Sequence, residues 1–486
     1  MRVNSMKTAA RTVAAGAAVA VSLGSAQAAL AVPAPGAVQV PCITGMLAAD
    51  ITSAVAGQTL SLVPFCNYRL TAALPVITKN LTIQGNGATI QRSYIPGTPD
   101  FSILTVTSGA VLVLNYVNLR NGHSGANLGS PGTGSKDSTV KGDGPPIYNS
   151  GYGGAIYNDS GTVTVNGGTL SNNTSTIEGG AIYSKTRLTV NRVLFVGNTS
   201  ESGGAISDLF VDPATVTHST FNANRATDGG AIYVRDSMTV TDSGFTNNTS
   251  TDSGGAIYVD NGSPTVTDSY FSQNQAEYGG GIYNDSTLTV TGGSFTGNNA
   301  AFDGGGIYTD ETLTVTGTAF SQNGAEDGGG LYNDGDLTMN GGSFTSNYAQ
   351  FDGGGIDNES TAALTGTAFS KNQAEDGGGL YNDGDLTMNG GSFTSNTAEF
   401  EGGGIDNDNT MTLTGTIFSK NLAEEGGGLY NNEDATITDS QITDNTASST
   451  GGGIFNEENA TLTTSVVDNN HPDNCAPAMS VVGCTG

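Results

Sequence analysis

The sequence predicts an all-β solenoid: a parallel β-helix of about 25 residues per coil, with three short strands in each coil. A Gly-Gly-(Ala/Gly)-(Ile/Leu) motif occurs thirteen times, with 24 to 26 residues between successive aliphatic residues. Ten Phe residues, Phe195 to Phe418, recur at the same interval, each followed three positions later by Asn. A period of this length is typical of solenoids, in which each coil buries its apolar face against the next. The thirteen aliphatic residues are Ile156, Ile182, Ile206, Ile232, Ile257, Ile282, Ile307, Leu331, Ile356, Leu380, Ile405, Leu429 and Ile454.

The N-terminus has the pattern of a secretory signal peptide, expected over residues 1–31. Lys7 and Arg11 precede the apolar run Val13 to Leu23, and the small residues Ala26 and Ala28 suit cleavage. Cleavage after residue 28 or after residue 31 fits the pattern about equally well. A linker is expected over 32–41. No other stretch reaches the roughly 18 apolar residues of a membrane span. We therefore expect a secreted, extracellular protein with no membrane insertion.

Four cysteines form two local pairs in the sequence: Cys42 with Cys66, and Cys475 with Cys484. Three pairings are possible in principle. The two local bridges are favoured because a rigid solenoid between the pairs holds the ends far apart. We therefore expect one disulfide at each end, the second closing a C-terminal tail over 471–486.

Residues 42–121 are expected to form an N-terminal cap and irregular first coils. A short helix over Met46 to Val55 would place Leu47, Ile51 and Val55 on one face, which suits a cover for the open end of the solenoid. The following segment, 122–152, is rich in Gly, Ser and Pro and is expected to be an exposed loop. Strands are expected at Thr59 to Val63, Asn80 to Ile83, Ala88 to Ile90, Ile103 to Thr107 and Val111 to Leu114.

The regular repeats run from 153 to 470. In the coil Gly304 to Asn323, the three extended pieces are centred on Ile307, on Leu313 to Thr316 and on Phe320. Inward aliphatic and Phe side chains would stack in columns from coil to coil. The Asn three residues after Phe is expected at a left-handed bend, with its amide bonded to neighbours above and below.

The paired motifs resemble a known family. GGAIYN (Gly153 to Asn158) with FTNN (Phe245 to Asn248), and GGGIYN with FSQN, look like the GGA(I/L/V) and FxxN repeats of chlamydial polymorphic outer-membrane proteins. The whole also resembles secreted bacterial right-handed β-helix repeat proteins of pectate-lyase-like fold. The resemblance implies right-handed coiling and suggests adhesion, while the fold hosts lyases, hydrolases, adhesins and structural rods alike.

The negative charge is concentrated in the second half of the chain. Residues 1–235 carry 14 Lys/Arg and 10 Asp/Glu, a net charge of +4, whereas residues 236–486 carry 2 and 35, a net charge of −33. The two values sum to the −29 of the whole chain. A surface this acidic repels nucleic acid and anionic membranes, so we exclude both as partners.

The residue after each aliphatic residue is expected to point outward, because successive strand side chains alternate. Nine of these thirteen residues are Tyr, and we call the set the Tyr column. Stacked phenol rings would suit an extended polysaccharide, although Tyr is also a common sheet residue. The expected ligand-binding residues are Tyr233, Tyr258, Tyr283, Tyr308, Tyr332, Tyr381 and Tyr430; Tyr157, Tyr183, Ser207, Asp357, Asp406 and Phe455 complete the column.

Two acidic columns are expected to flank the Tyr column. Like charges about 4.8 Å apart repel by about 0.9 kcal/mol even in water, and Ca²⁺ would relieve this repulsion. No cofactor is required by the pattern, and Ca²⁺ is the metal ion that it favours. The upstream acid column, four residues before the aliphatic residue, is Glu178, Asp228, Asp303, Asp327, Asp352, Asp376, Glu401 and Glu425, the last six being the calcium candidates. The downstream acid column, three residues after it, is Asp159, Asp260, Asp285, Asp310, Asp334, Glu359, Asp383, Asp408 and Glu457.

No catalytic residues are predicted. Two carboxylates among these outward positions, Asp357 and Asp406, lie two coils apart, about 10 Å, just beyond the usual separation of an inverting glycosidase pair. The best alternative place for catalysis is a mixed-charge patch of Lys185, Arg187, Asp208, Asp212, His218 and Arg235.

The predicted function is therefore binding or structural, with an enzyme of pectate-lyase-like type as the alternative. Ala325 to Asn347 recurs unchanged at Ala374 to Asn396, an offset of 49 residues or two coils. Such duplication lengthens a rod and repeats its surface, which favours a repetitive face over one pocket. The expected partner is a polysaccharide or another cell-surface component, held in an adhesin-like manner.

Overall fold

The chain forms a right-handed parallel β-helix of about 17 turns, as the sequence predicts. The structure, a computed structural model, describes residues 36–125, 151–209 and 213–484. The expected signal peptide, most of the expected loop over 122–152 and Asp212 lie outside the described residues. At a strand spacing of about 4.8 Å, 17 turns make a rod about 80 Å long.

Each coil contributes one strand to each of three long parallel sheets. Equivalent residues pair in register, so that Ile282, Ile307 and Leu331 are direct neighbours in successive coils. The first sheet contains Leu104–Val106, Ile156–Asn158, Ile182–Ser184, Ile206–Asp208, Ile232–Val234, Ile257–Val259, Ile282–Asn284, Ile307–Thr309, Leu331–Asn333, Ile356–Asn358, Leu380–Asn382, Ile405–Asn407, Leu429–Asn431, Ile454–Asn456 and Cys475–Ala476. The second contains Val38–Val40, Gln58–Leu62, Leu81–Gln84, Val111–Asn115, Thr162–Asn166, Leu188–Asn191, Ala214–Thr217, Met238–Thr241, Thr265–Thr267, Leu288–Thr291, Leu313–Thr316, Asp336–Asn340, Thr361–Thr365, Asp385–Asn389, Met411–Thr414, Asp434–Thr438, Asn459–Thr463 and Val481–Val482. The third contains Asn67–Leu70, Thr89–Arg92, Asn118–Arg120, Thr169–Ser171, Leu194–Val196, Thr220–Asn222, Gly244–Thr246, Tyr270–Ser272, Ser294–Thr296, Ala319–Ser321, Ser343–Thr345, Ala368–Ser370, Ser392–Thr394, Ile417–Ser419, Gln441–Thr443 and Val466–Asp468.

A fourth, narrow sheet lies between the third strand and the glycine motif, in addition to the three strands per coil that the sequence predicts. Most of its strands are two residues long because the chain turns again almost at once. Its strands are Arg225–Ala226, Thr249–Ser250, Gln275–Ala276, Asn299–Ala300, Gly324–Ala325, Tyr348–Ala349, Gln373–Ala374, Thr397–Ala398, Leu422–Glu425 and Thr446–Thr450, and a separate pair is formed by His123–Ser124 and Thr174–Ser175.

One short helix, Thr44–Ser53, packs at the N-terminal end as the predicted cap. Leu47 and Ile51 are buried, whereas Val55 lies beyond the helix and is 67% exposed. The helix contacts the strand Val38–Val40, which forms inside the segment expected to be a linker. Among the described residues, this helix is too short to cross a membrane and no longer apolar helix occurs.

The interior is a continuous column of stacked Phe rings. From Phe195 to Phe418, neighbouring ring centroids are 4.5–5.1 Å apart and the ring planes agree within 9°. All ten rings are at most 1% exposed. Aromatic burial of this kind replaces the central core of a globular domain, because each ring excludes water from its two neighbours.

The Asn three residues after each Phe is buried and forms a ladder along the rod. The Asn323 side-chain amide donates to Asn347 Oδ1 at 3.0 Å and to the Phe295 carbonyl at 3.1 Å. The expectation that this Asn takes the left-handed conformation is wrong. The residue before it does so, as Gln322 shows with φ 56°, because the exposed corner residue makes the bend while Asn turns inward.

The first glycine of each repeated motif supplies a sharp turn. Gly304 has φ +68°, and a Cβ there would lie 2.4 Å from the Ile307 carbonyl oxygen. The next glycine, Gly305, would place a Cβ 2.4 Å from the Gly329 carbonyl oxygen in the following coil. Glycine is therefore required by both backbone conformation and close approach of neighbouring coils.

Both predicted disulfides are confirmed. Cys42 is bonded to Cys66, which ties the segment before the helix to the third-sheet edge. Cys475 is bonded to Cys484 across the last turn. The described part of the chain contains no free cysteine.

Candidate binding face

The Tyr column lies between the two acid columns, as the spacing predicts. Tyr233 and Tyr381 donate hydrogen bonds from their hydroxyl groups to Asp260 (2.8 Å) and Asp408 (2.9 Å) of the downstream acid column. On the other side, the hydroxyl of Ser207, in the Tyr column, donates to Glu178 of the upstream acid column at 3.0 Å. Hydrogen bonds therefore join the Tyr column to the downstream acid column in several coils, and to the upstream acid column at Glu178.

The phenol rings are less accessible than the sequence suggested. From Tyr233 to Tyr332, consecutive rings stack with centroids 4.8–5.1 Å apart and planes within 7°. Tyr233 and Tyr430 are buried, and Tyr283 and Tyr308 are half-buried. The expectation of exposed ring faces is wrong because each ring covers the face of its neighbour. The rings present their edges and hydroxyl oxygens instead.

Burial raises the pKa of the hydroxyl groups in the Tyr column. It raises the pKa of the Tyr283 hydroxyl, and the hydrogen bond to Asp310 adds to the effect. The phenols therefore remain protonated donors at neutral pH.

The upstream acid column brings carboxyl groups of successive coils together. Asp303 bridges Asp327 through the backbone, and Glu401 bridges Glu425 in the same way. Burial, followed by repulsion from Asp327, raises the pKa of Asp303 to about 7. Burial and repulsion from Asp376 raise the pKa of Glu401 to about 7 as well. Asp303 and Glu401 are therefore partly protonated near neutral pH.

Two members of the Tyr column are aspartates, and both are buried although their positions were expected to point outward. Asp357 is 2% exposed and Asp406 is 1% exposed. In each, the buried Oδ1 atom has no hydrogen-bond partner among the described residues. Burial raises both pKa values well above the ordinary range, and nearby carboxylates add to the shift.

A further exposed column lies one residue before the upstream acids, and we call it the Phe/Glu column. Phe302, Phe351 and Phe400 are 40–41% exposed. Backbone hydrogen bonds join each member to the next, as in Glu326 N–H to the Phe302 carbonyl and Phe351 N–H to the Glu326 carbonyl. The signal that predicts it is the alternation of Phe and Glu at two-coil spacing. Its members are Phe302, Glu326, Phe351, Glu375, Phe400 and Glu424.

The Phe/Glu column adjoins the Tyr column. Tyr278, in the upstream position of its coil, stacks on Phe302 with centroids 5.2 Å apart. The same Tyr278 meets Tyr308 edge to face at 5.8 Å. The exposed Phe rings of the Phe/Glu column and the hydroxyl groups of the Tyr column therefore belong to one continuous face.

The mixed-charge patch is split by the fold. Arg235 pairs with Glu178 at 2.9 Å and with Asp260 at 3.1 Å, and its guanidinium lies 4.7 Å from the Tyr233 ring centroid. Lys185 pairs separately with Asp159 at 2.8 Å.

Among the described residues, His218 and Asp208 do not join these pairs. His218 lies in the turn between the second and third strands, where it meets Asp242 at 3.5 Å. Asp208 is buried with neither carboxylate oxygen hydrogen-bonded among the described residues. The fold thus places His218 and Arg235 at different corners of the coil instead of in one cluster.

Comparison with known families agrees with this architecture. The family model for the right-handed β-helix region matches residues 214–373. The model for the Chlamydia polymorphic membrane protein repeat matches residues 167–185. No curated protein matches the chain significantly. The chain is thus a β-helix repeat protein with repeats similar to those of the chlamydial proteins.

Proposed function

We propose that this right-handed β-helix repeat protein is an extracellular, adhesin-like binding rod whose repetitive face holds an extended polysaccharide. The observation that carries the proposal is the Phe/Glu column beside the Tyr column. It offers Phe302, Phe351 and Phe400 as equivalent exposed rings at every second coil. The match to a membrane-protein repeat supports a cell-surface setting.

The spacing of the rings favours a partner that is itself a polymer. Two coils correspond to about 9.6 Å, so equivalent rings recur at that interval on a rigid rod. An apolar sugar face can pack on such a ring, while hydroxyl groups bond the neighbouring carboxylates. Each contact is weak alone, but a row of them on one stiff scaffold acts together.

The charge of the face limits the partner class. Phe rings alternate with Glu326, Glu375 and Glu424, and the upstream acids lie next to them. An anionic polysaccharide would be repelled by this stripe. We therefore expect neutral or amino-sugar polymers to be retained in preference to uronic acid polymers.

The proposal is tested with the full mature chain on a panel of immobilised neutral, basic and acidic polysaccharides. A triple variant, Phe302→Ser with Phe351→Ser and Phe400→Ser, should weaken retention at least about tenfold, because the exposed rings supply the apolar contact. The matched control is Ile417→Ser with Val466→Ser, which removes exposed apolar side chains from the third sheet. The control should bind as the unchanged protein does.

The hydroxyl groups of the Tyr column are tested separately. A second triple variant combines Tyr283→Phe, Tyr308→Phe and Tyr332→Phe, which keeps the ring stack and removes only the hydroxyl groups. Weaker retention by this variant would show that the hydroxyl groups of the Tyr column take part in binding. Retention of no polysaccharide by the unchanged protein, or equal retention by the Phe302 triple variant, would contradict the proposal. Release of unsaturated products or new reducing ends would favour the enzyme alternative instead.

A further inference from the structure

Three carboxyl groups of adjacent coils converge beside the buried end of the Tyr column. One carboxylate oxygen from each of Asp376, Glu401 and Asp406 lies within 4.8 Å of the other two. Asp376 and Glu401 belong to the upstream acid column, and Asp406 belongs to the Tyr column. The fold brings together the carboxyl groups of residues four before and one after the aliphatic residue at this point.

The environment of Asp406 indicates that this cluster binds a ligand. Its side chain is 1% exposed, and its Oδ1 atom has no hydrogen-bond partner among the described residues. A buried carboxylate oxygen without a partner is costly, so native proteins usually satisfy it with a donor, a water molecule or an ion. Asp376 and Glu401 supply only further acceptors when they are ionised.

The same three positions also carry acids two coils earlier. Asp327, Asp352 and Asp357 occupy the equivalent positions, 49 residues before Asp376, Glu401 and Asp406. Asp352 N–H donates to Asp327 Oδ1 at 3.0 Å, and Glu401 N–H donates to Asp376 Oδ1 at 2.9 Å. Asp357 also has a buried Oδ1 atom without a partner among the described residues. The two sets therefore share position, hydrogen bonding and the same unmet polar atom.

No protein cation neutralises these groups in the described structure. The Lys and Arg ion pairs found there involve Asp100, Asp159, Glu178 and Asp260, all in the earlier coils. Burial, and after it the neighbouring carboxylates, raises the pKa of Asp406 well above its usual range.

We propose that Asp376, Glu401 and Asp406 form a Ca²⁺ site, and that Asp327, Asp352 and Asp357 form a second, equivalent one. Ca²⁺ accepts carboxylate ligands in irregular geometry, with water completing its shell, and Mg²⁺ demands stricter octahedral geometry. The half-buried Asp376 and Glu401 leave one side open to that water. Each site bridges neighbouring coils and removes the repulsion between their acids. The proposal is independent of polysaccharide binding.

The test is calorimetric titration of the metal-free full chain with CaCl₂. We expect about two ions per chain, with dissociation constants on the order of 0.1–1 mM, typical of extracellular calcium modules. Asp406→Asn should remove one of the two binding events, and Asp357→Asn with Asp406→Asn should remove both. Asp336→Asn with Asp385→Asn is the control, because these exposed acids occupy equivalent positions in the same two repeats. It should keep both events.

Thermal melting separates calcium binding from simple protonation. With bound calcium, 10 mM CaCl₂ should raise the Tm of the unchanged protein by several degrees more than NaCl of equal ionic strength, and the double variant should lose that excess. If Asp357 and Asp406 instead bind no calcium, CaCl₂ and NaCl of equal ionic strength raise the Tm alike, in the unchanged protein as in the double variant. That result overturns the proposal, and an equal response to MgCl₂ overturns the choice of calcium.

Discussion

Asn323 and Asp208 show that a buried polar residue in this rod is stable only when the next coil completes its hydrogen bonds. Asn323 carries both a donor and an acceptor, so each rung of its ladder satisfies the next. Asp208 has only acceptors when ionised, and neither oxygen is bonded among the described residues. At the residue scale, a buried amide can hydrogen-bond the same amide in the next coil, whereas an ionised carboxylate cannot.

Asn323→Ala should destabilise the rod by about 2 to 4 kcal/mol. The substitution leaves the Phe295 carbonyl and the Asn298 amide groups without their buried partner. Urea unfolding followed by circular dichroism measures the loss. The control, Asn340→Ala, changes an exposed Asn in the second sheet and should alter stability by less than about 0.5 kcal/mol. Equal effects of the two substitutions would refute a structural role for the ladder.

Asp208→Asn should stabilise the protein increasingly as pH rises from about 5 to about 8. Burial, with repulsion from Asp236, raises the pKa of Asp208 to about 8 in the folded state, above its ordinary value near 4. Ionisation therefore costs folding stability in the interval between those two values, and Asn removes that cost. The Tm difference between variant and unchanged protein should level off above pH 8. A difference that shrinks over this interval would contradict the assigned environment.

At the scale of the element, a column of identical residues is stabilising or destabilising as a unit. The Phe column gains a stacked partner at every coil, whereas the upstream acid column gains another negative charge. Asp303, Asp352 and Glu401 each have a pKa raised to about 7, caused first by burial and then by neighbouring carboxylates. The rod therefore carries an acidic edge whose cost depends on pH and on counter-ions.

This edge predicts that Tm falls as pH rises from about 5 to about 8 in low salt without divalent cations. The carboxyl groups ionise near pH 4 in the unfolded chain and near pH 7 in the folded chain, so the folded state loses stability across that window. NaCl at pH 8 should restore part of the loss by screening. Differential scanning calorimetry at several pH values provides the check. Asp303→Asn should flatten the profile, and a Tm that rises with pH would exclude the explanation.

At the scale of the whole molecule, the rod is built from a two-coil unit of 49 residues. Ala325 to Asn347 and Ala374 to Asn396 are identical, and the Phe/Glu column and the two carboxylate trios follow the same period. Because each coil contacts only its neighbours, stability is close to a sum over coils and their interfaces. Removing one complete unit should leave a shorter rod with the same cross-section.

Deletion of residues 325–373 joins Gly324 to Ala374 and keeps every ladder in register. The product should fold, with a rod about 10 Å shorter by small-angle X-ray scattering. It should also bind one calcium ion fewer, since Asp327, Asp352 and Asp357 are removed together. As the control, deletion of 325–361 breaks the register by half a coil and should give an unstable or aggregated product. Equal stability of the two products would contradict the modular description.

The sequence predicted the coil length, the three main strands of each coil, the disulfides and the order of the columns around Tyr283. These features were predictable because equivalent positions of successive coils recur at a fixed interval along the chain. The sequence did not predict the fourth sheet, whose two-residue strands lack an alternating pattern, nor the inward turn of Asn323. It also overestimated the exposure of Tyr308, since a strand pattern distinguishes the two faces of a sheet but not the cover provided by neighbouring rings.

The sequence by itself determined a parallel β-helix with an acidic second half, because periodicity and charge are properties of the chain. Only the tertiary structure decided which of the repeated residues are exposed to solvent and which side chains contact each other. Phe302 remains exposed, the Tyr rings close on one another, and Asp406 is buried against Asp376 and Glu401. The physical reason is that exposure and ligand geometry depend on side chains about 25 and 30 positions away, which only the stacking of coils brings together.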